Sequence, residues 1–294
     1  MKKLIALLLA AMMILSLAAC GGKTESTTTA EPAQTTEPAQ PAESAPAEPK
    51  LTTVTEGKLT VATSPDFAPY EFYAVENGTP RLAGFDVALA GYIADYLGLQ
   101  LEMVPIDFDG VLMELQTKNV DLGLAGLSPD PKRESIMDFS DIYYQGGQSF
   151  VTVKGSEDKF PTLEATNSPE FQIGAQTGSI QVDLAQENSP DADIIQLAKV
   201  TDIIAELLAG KLDGAYIETA VAESYAVNYP ELAIILQVPY DVSGSAVGVI
   251  KGNAELLAAV NEAIAQAISD GSMDRFVAEA NELASGEIIE GLLN

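Results

Sequence analysis

LQTKNVDLGLAG at residues 115–126 and LLAGKLDGAYIE at 207–218 run the same way: a helix end, a polar turn, an apolar residue, an aspartate and a short strand. One such joint is an ordinary αβ connection, but the same joint twice in one chain predicts two similar α/β lobes. Outward from the first joint, Leu59–Thr63 reads as a strand. A helix follows through Val87, Ala90, Ile93, Ala94 and Leu97, with Asp86 placed to cap it and Gly98 to stop it. Next come a strand at Leu101–Pro105, a helix at Asp109–Asn119 with Val111, Leu112 and Leu115 inward, and a buried strand at Val120–Ala125.

Around the second joint the pattern predicts a strand at Gln172–Ala175, a helix at Ser179–Glu187, a strand at Ile194–Leu197, a helix at Thr201–Ala209 and a strand at Gly214–Ile217. A strand near Ala246–Lys251 and an amphipathic helix at Ala254–Ser269 close the chain. Inserting the second lobe into the first gives boundaries of 51–148, 149–245 and 246–294, with crossings around Gln148–Lys154 and Ser243–Val249. Open α/β sheets bind ligands beyond the carboxyl ends of their strands, so two such lobes face to face form a cleft.

The first 50 residues are of another kind. Lys2 and Lys3 precede the apolar run Leu4–Ala19, which is short for a spanning helix but suits the apolar region of a secretion signal at 1–19. Cys20, the only cysteine, follows Leu17-Ala18-Ala19, where the segment resembles the cleavage and diacylation site of a bacterial lipoprotein. A lone cysteine in an exported chain has no intramolecular partner, which favours lipidation over a free thiol. From Gly21 to Lys50 no side chain is aromatic or a larger aliphatic than alanine. Residues 20–50 are therefore expected to be a disordered tether holding the folded body roughly 30 Å from the lipid.

The chain carries 15 basic and 43 acidic residues and no histidine, a formal charge of −28. That balance argues against nucleic acid, whose phosphates call for basic patches. The lack of imidazole removes the usual zinc ligands and any Ser-His-Asp triad, and no metal or cofactor is expected.

From Leu59 to about Phe276 the chain resembles the amino-acid-binding, family 3 solute-binding lipoproteins of bacterial ABC importers. The matching stretches, in family order, are VATSPDFAPYEF at 61–72, GFDVALA at 84–90, DFDGVLMELQTKNVDLGLAGLSPDPKR at 107–133, DFSDIYY at 138–144, GAQTGS at 174–179 and YIETA at 216–220. The resemblance implies the two-lobed type II periplasmic binding protein fold and an extracytoplasmic receptor without enzymatic activity. Such a receptor is expected to act as a monomer, lipid-anchored at Cys20, that delivers a free amino acid to permease subunits.

A zwitterion taken out of water needs both its charges met. By the resemblance, Arg133 takes the carboxylate, for which a guanidinium offers a planar pair of donors. Asp130 and Pro131 suit the cap and first residue of a helix that carries it. Gly126 and Ser128 match residues that present backbone and hydroxyl groups to the ligand. The sequence departs from the family at Pro129 and Asp130, where an aliphatic and a threonine are more usual. In the second lobe Ser179 and the Ile180 amide lie where a strand enters a helix, and a helix N-terminus favours an anion. Glu218 stands where the family usually has an aspartate for the ligand ammonium. Phe67 and Phe108 match two aromatics that flank the ligand side chain, with Tyr70 close behind, whereas Phe72 and Phe85 read as core.

By the resemblance, members that take cationic or amide side chains carry an aspartate three positions before the first aromatic; here that position is Ser64, and the nearest acid, Asp66, is out of register. The expectation from this is a neutral polar amino acid, with Ser64 and Gln176 offering uncharged hydrogen bonds, while Asp107 or Asp109 could still supply a charge. Two other functions fit the same fold: a dehydratase of prephenate-like substrates, and a sensor ectodomain. The tether disfavours the first, and the lack of a further hydrophobic span before Asn294 disfavours the second.

Overall fold

A computed structural model of the chain describes residues 51–241 and 244–286; the expected signal segment, Cys20 and the tether lie outside them. In chain order the elements begin with β1 (Lys58–Thr63), β2 (Asp66–Phe67), β3 (Glu71–Glu76), β4 (Thr79–Ala83), α1 (Phe85–Leu97), β5 (Gln100–Pro105), α2 (Phe108–Gln116) and β6 (Leu122–Gly123). They continue with β7 (Met137–Tyr144), β8 (Gln148–Val153), β9 (Gln172–Gln176), α3 (Ile180–Asn188), β10 (Asp193–Leu197), α4 (Val200–Leu208) and β11 (Gly214–Glu218). The last are α5 (Thr219–Asn228), β12 (Leu232–Gln237), β13 (Ser245–Ile250), α6 (Ala254–Ser269) and α7 (Ser272–Ala284).

Two five-stranded sheets carry the fold, ordered β5-β1-β6-β13-β7 and β10-β9-β11-β8-β12. In each, three strands run parallel, a fourth is antiparallel to them, and a fifth pairs antiparallel with the fourth. The parallel strands follow the chain order second, first, third in both sheets, which is the physical content of the repeated helix-to-strand joint. Residues 145–147 carry the chain from the first sheet to the second, and the segment after Gln237 brings it back to β13. The architecture is the two-lobed, mixed α/β arrangement implied by the resemblance. The crossings lie just outside β8 and β13 instead of within them, because each of those strands pairs wholly inside one sheet.

Apolar burial explains why these elements form. On α6, Leu256, Val260, Ala263, Ile264 and Ala267 are buried at helical spacing and pack against α1 and β7. A fully buried side chain of the larger kind contributes about 1.5–3 kcal/mol relative to exposure. The inner strands β1, β11 and β13 are buried along nearly their whole length, as strands covered on both faces must be.

Several expectations need correction. The buried run expected over Val120–Ala125 pairs as a strand only at Leu122–Gly123, and α7 follows the helix expected to close the chain. The hairpin sheet β2-β3-β4, α5 and β12 are further elements. Asp86 does not cap α1. The helix begins from Gly84 at φ +121°, where any Cβ would lie 2.0 Å from the Tyr70 carbonyl oxygen. Asp86 is thereby drawn inside the first turn and fully buried, and accepts from the Tyr143 hydroxyl (2.7 Å) and the Gly126 amide (3.0 Å).

Candidate functional site

The carboxyl ends of the first and third strands of both sheets converge. Ser64 to Phe67 follow β1, Gly126 and Ser128 follow β6, Ser179 and Ile180 follow β9, and Glu218 ends β11. Phe108 opens α2 after β5, and Arg133 lies in the 3-10 turn Pro131–Arg133. Asp130 caps that turn by accepting from the Lys132 amide at 2.9 Å, with proline first inside it, as the sequence predicts.

A small cavity of about 10 Å³ is lined by Phe67, Phe108, Ala125, Gly126, Ser128, Arg133, Gln176, Ser179, Ile180 and Gln181. These include every expected ligand residue except Ser64 and Glu218. A wider vestibule opens beside it between residues 128–132 and 180–187, sharing Ser128 and Ile180 and edged by Pro239, Tyr240 and Asp241. The Lys132–Asp183 ion pair, 2.8 Å, joins the lobes at its rim. Both partners are well exposed, so solvent screens the pair and leaves it little weight.

Arg133 is 8% exposed, and among the described residues no carboxylate lies within ion-pair distance of its guanidinium. One Nη2 hydrogen bond goes to the Gly178 carbonyl at 2.9 Å, and the guanidinium carbon sits 5.6 Å from the centre of the Phe108 ring. Burial lowers its pKa, with Asp130 and Asp183 opposing that shift from a distance. A guanidinium has five N–H donors, so most remain free for a planar anion.

Gly126 holds φ +56°, and a Cβ there would come within 2.6 Å of the Phe67 ring. Its amide is spent on Asp86, and no described residue donates to its carbonyl. Across the cavity, Ile180 and Gln181 begin α3, whose N-cap Ser179 makes no side-chain capping bond. The Ser179 hydroxyl instead donates to the Gln176 carbonyl at 2.7 Å, so the helix end keeps its N–H groups for another acceptor. Gln181 also donates to the Gln148 side chain at 2.7 Å, fixing this wall to β8.

Glu218 is 3% exposed and caps α5: one oxygen accepts from the Val221 amide at 2.9 Å, the other from the Gly147 amide at 3.3 Å. Burial pushes its pKa up to about 7 against those hydrogen bonds. Ser64 is likewise turned away from the cavity and donates to Asp66 at 2.7 Å. Gln176 does line the cavity, but its amide donates to Asp66 at 3.2 Å and to the Ala198 carbonyl at 3.1 Å. Asp66, out of register by sequence position, is the acid that gathers both. Asp107, at the N-cap of α2, makes no capping bond, and its Oδ1 is buried without a partner. Asp109 donates no such opportunity: its Oδ1 accepts from the Gly110 amide at 3.0 Å, in an exposed position.

Ala125 and Gln181 are cavity residues that sequence reasoning missed, and Asp66 is an acid that it set aside. The first two adjoin expected residues at the ends of β6 and β9, so strand position was the signal available.

A family model described as bacterial extracellular solute-binding proteins, family 3, matches residues 59–280. The chain is 31% identical over 222 residues to the arginine-binding extracellular protein ArtP of Bacillus subtilis, covering 74% of this chain and 84% of that protein. It is 28% identical over 191 residues to a cyclohexadienyl dehydratase of Pseudomonas aeruginosa, covering 65% and 70% respectively. The solved structure of the amino acid ABC transporter substrate-binding protein AbpA from Streptococcus pneumoniae, bound to L-arginine, matches with a TM-score of 0.75 and 32% identity. That match covers 79% of this chain and 98% of the other.

Proposed function

The chain belongs to the bacterial extracellular solute-binding proteins, family 3, and on that premise we propose that it captures a cationic amino acid, L-arginine first, between its lobes and hands it to an ABC importer permease. The observation that carries the reading is the buried guanidinium of Arg133, without an ion-pair partner among the described residues, lining one small cavity with the N-terminal residues of α3. A buried cation opposite a helix N-terminus is arranged for a carboxylate. The Gly126 carbonyl and the Ser128 hydroxyl then meet the ammonium, with Glu218 supplying negative charge from the end of β11.

The side chain lies between Phe67 and Phe108, which suits a guanidinium by cation–π attraction of roughly 0.5–2 kcal/mol. The arginine-binding relatives weigh against the expectation of a neutral ligand and favour a cationic one. The Ser64 hydroxyl donates to Asp66, and the Gln176 amide to Asp66 and Ala198, so the uncharged donors expected for a neutral ligand are already engaged. Asp107, whose Oδ1 lacks a partner, supplies the counter-charge for a cationic side chain.

A thermal-shift screen of the standard amino acids and cystine tests the reading. Ligand at about 100 times its dissociation constant adds roughly 2.7 kcal/mol, a rise of roughly 5–11 °C for a body of this size. Arginine is expected to give the largest rise, lysine and ornithine less. A rise with neutral amino acids alone contradicts the cationic assignment.

We extend the reading to the N-terminus: 1–19 is a secretion signal, Cys20 is diacylated, and 20–50 tethers lobes bounded at 51–148, 149–245 and 246–294. No helix among the described residues is long and apolar enough to cross a membrane, and acyl chains contribute roughly 0.8 kcal/mol per buried methylene. Cys20→Ser is expected to move the protein from the detergent phase to the aqueous phase in phase separation; unchanged partition refutes the anchor.

Dehydratase activity is the second reading, favoured by the cyclohexadienyl dehydratase relative and by Glu218, whose pKa of about 7 suits proton transfer. A prephenate turnover assay separates the two, and no turnover is expected.

A further inference from the structure

The N-terminus of α4, in the second lobe, is capped by a carboxylate from the first. Its own N-cap, Lys199, makes no side-chain capping bond. The Val200 amide, the first of the helix, donates instead to Asp66 Oδ2 at 2.6 Å. The same oxygen accepts from the Gln176 amide at 3.2 Å, Oδ1 accepts from the Ser64 hydroxyl at 2.7 Å, and the main-chain oxygen of Asp66 accepts from the Tyr225 hydroxyl at 3.0 Å. Gln176, Val200 and Tyr225 belong to β9, α4 and α5 of the second lobe, whereas Asp66 stands on β2 beside Phe67. Every member of this cluster is buried.

Each side-chain partner is a donor, which only an acceptor-only group can satisfy at once. An ionised carboxylate at a helix N-terminus also gains from the helix dipole. When the lobes part, Asp66 keeps its bond to Ser64 but loses those to α4, β9 and α5, leaving the α4 amide uncapped. The cluster therefore favours the closed arrangement without needing to touch the ligand.

We infer that Asp66 is a positioning residue that latches the lobes shut by capping α4 across the cleft, so that it governs how long a bound amino acid stays. The inference rests on the amino-acid-binding reading for its ligand, though not for its geometry. Removing one partner of a buried charged hydrogen-bond set acts chiefly on dissociation.

The experiment compares L-arginine association and dissociation rates for the wild-type protein and Asp66→Ala, alongside hydrogen exchange at the Val200 amide. The expected result is dissociation about 10- to 100-fold faster in the variant, association within about threefold of wild type, and faster exchange at Val200, with β9 core amides unchanged. A dissociation rate within twofold of wild type, with the β9 amides intact, overturns the latch. If those amides show that Asp66→Ala has unfolded, Asp66→Asn is read by the same criteria, since it keeps one acceptor and places an NH₂ group against donors.

Failure of L-arginine to bind the wild-type protein overturns the ligand assignment. The latch is then decided by Val200 exchange in ligand-free wild type against Asp66→Asn. Slower exchange in wild type supports it, and equal exchange overturns it.

Discussion

The two lobes share a strand order but supply different chemistry to the space between them. The first brings side chains: the Arg133 guanidinium, the rings of Phe67 and Phe108 and the Ser128 hydroxyl. The second brings mainly backbone and amide groups, the N-terminal amides of α3 with Gln176 and Gln181, while its acid Glu218 stands outside the cavity lining at the end of β11. The difference teaches a division of labour. A lobe carrying a charged, planar donor and aromatic walls can hold an amino acid while the cleft is open. On the proposed reading, a lobe of fixed amides adds its contribution once the lobes close. Such hinge closure shifts the population toward a ligand-filled state.

The sharpest way to break this comparison is to remove the charge that the first lobe supplies. Arg133→Ala is expected to weaken amino-acid binding by about 2–5 kcal/mol, roughly 30- to 5,000-fold, and Arg133→Lys by less. Calorimetry showing both variants within a few-fold of wild type would remove Arg133 from the site.

The second lobe is probed through pH. Burial raises Glu218 from 4.5 to about 7, so the ligand-free protein holds this group protonated below that pH. Pairing with a ligand ammonium needs the ionised form. Affinity is therefore expected to fall as pH drops below about 7, by up to tenfold per unit, and this dependence should flatten in Glu218→Gln. The same shift has the opposite sign for the ligand-free fold. A folded pKa above the unfolded one favours the folded state below about 4.5, and that contribution is lost as pH rises through about 7. Asp66 and Asp86, each raised by burial to about 6, act in the same direction. Melting curves of wild type and Glu218→Gln across this range check the sign.

Phe108→Leu is the mildest change, since it keeps apolar contact and loses only the ring face beneath Arg133 and the ligand. A decrease of roughly 2- to 30-fold in arginine affinity is expected, with a smaller decrease for any neutral ligand. Equal losses for both would assign Phe108 to packing alone.

How much of this was legible in sequence follows from the range of the interactions. The joints at 115–126 and 207–218 are local patterns, and they correctly announced two sheets of like order. The family resemblance then pointed to most of the cavity lining, including Gly126, Ser128 and Ile180. Asp66 was legible as an acid but not as a latch, because its partners Gln176 and Val200 lie 110 and 134 residues away. Asp86 deceived for a related reason: it stands where a helix cap is expected, yet the tight passage at Gly84 and the distant Tyr143 and Gly126 draw it into the core. Glu218 kept its place at the end of β11, but spacing could not show that it caps α5.

The central claim, a cationic amino acid enclosed between the lobes, is met most directly by identifying what the protein retains. The purified protein is equilibrated with an equimolar mixture of the standard amino acids, freed of unbound solute and denatured, and the released species is quantified by mass spectrometry. About one equivalent of arginine, with lysine well behind, is the predicted result. Release of a neutral amino acid in its place, or of no amino acid, would contradict the account.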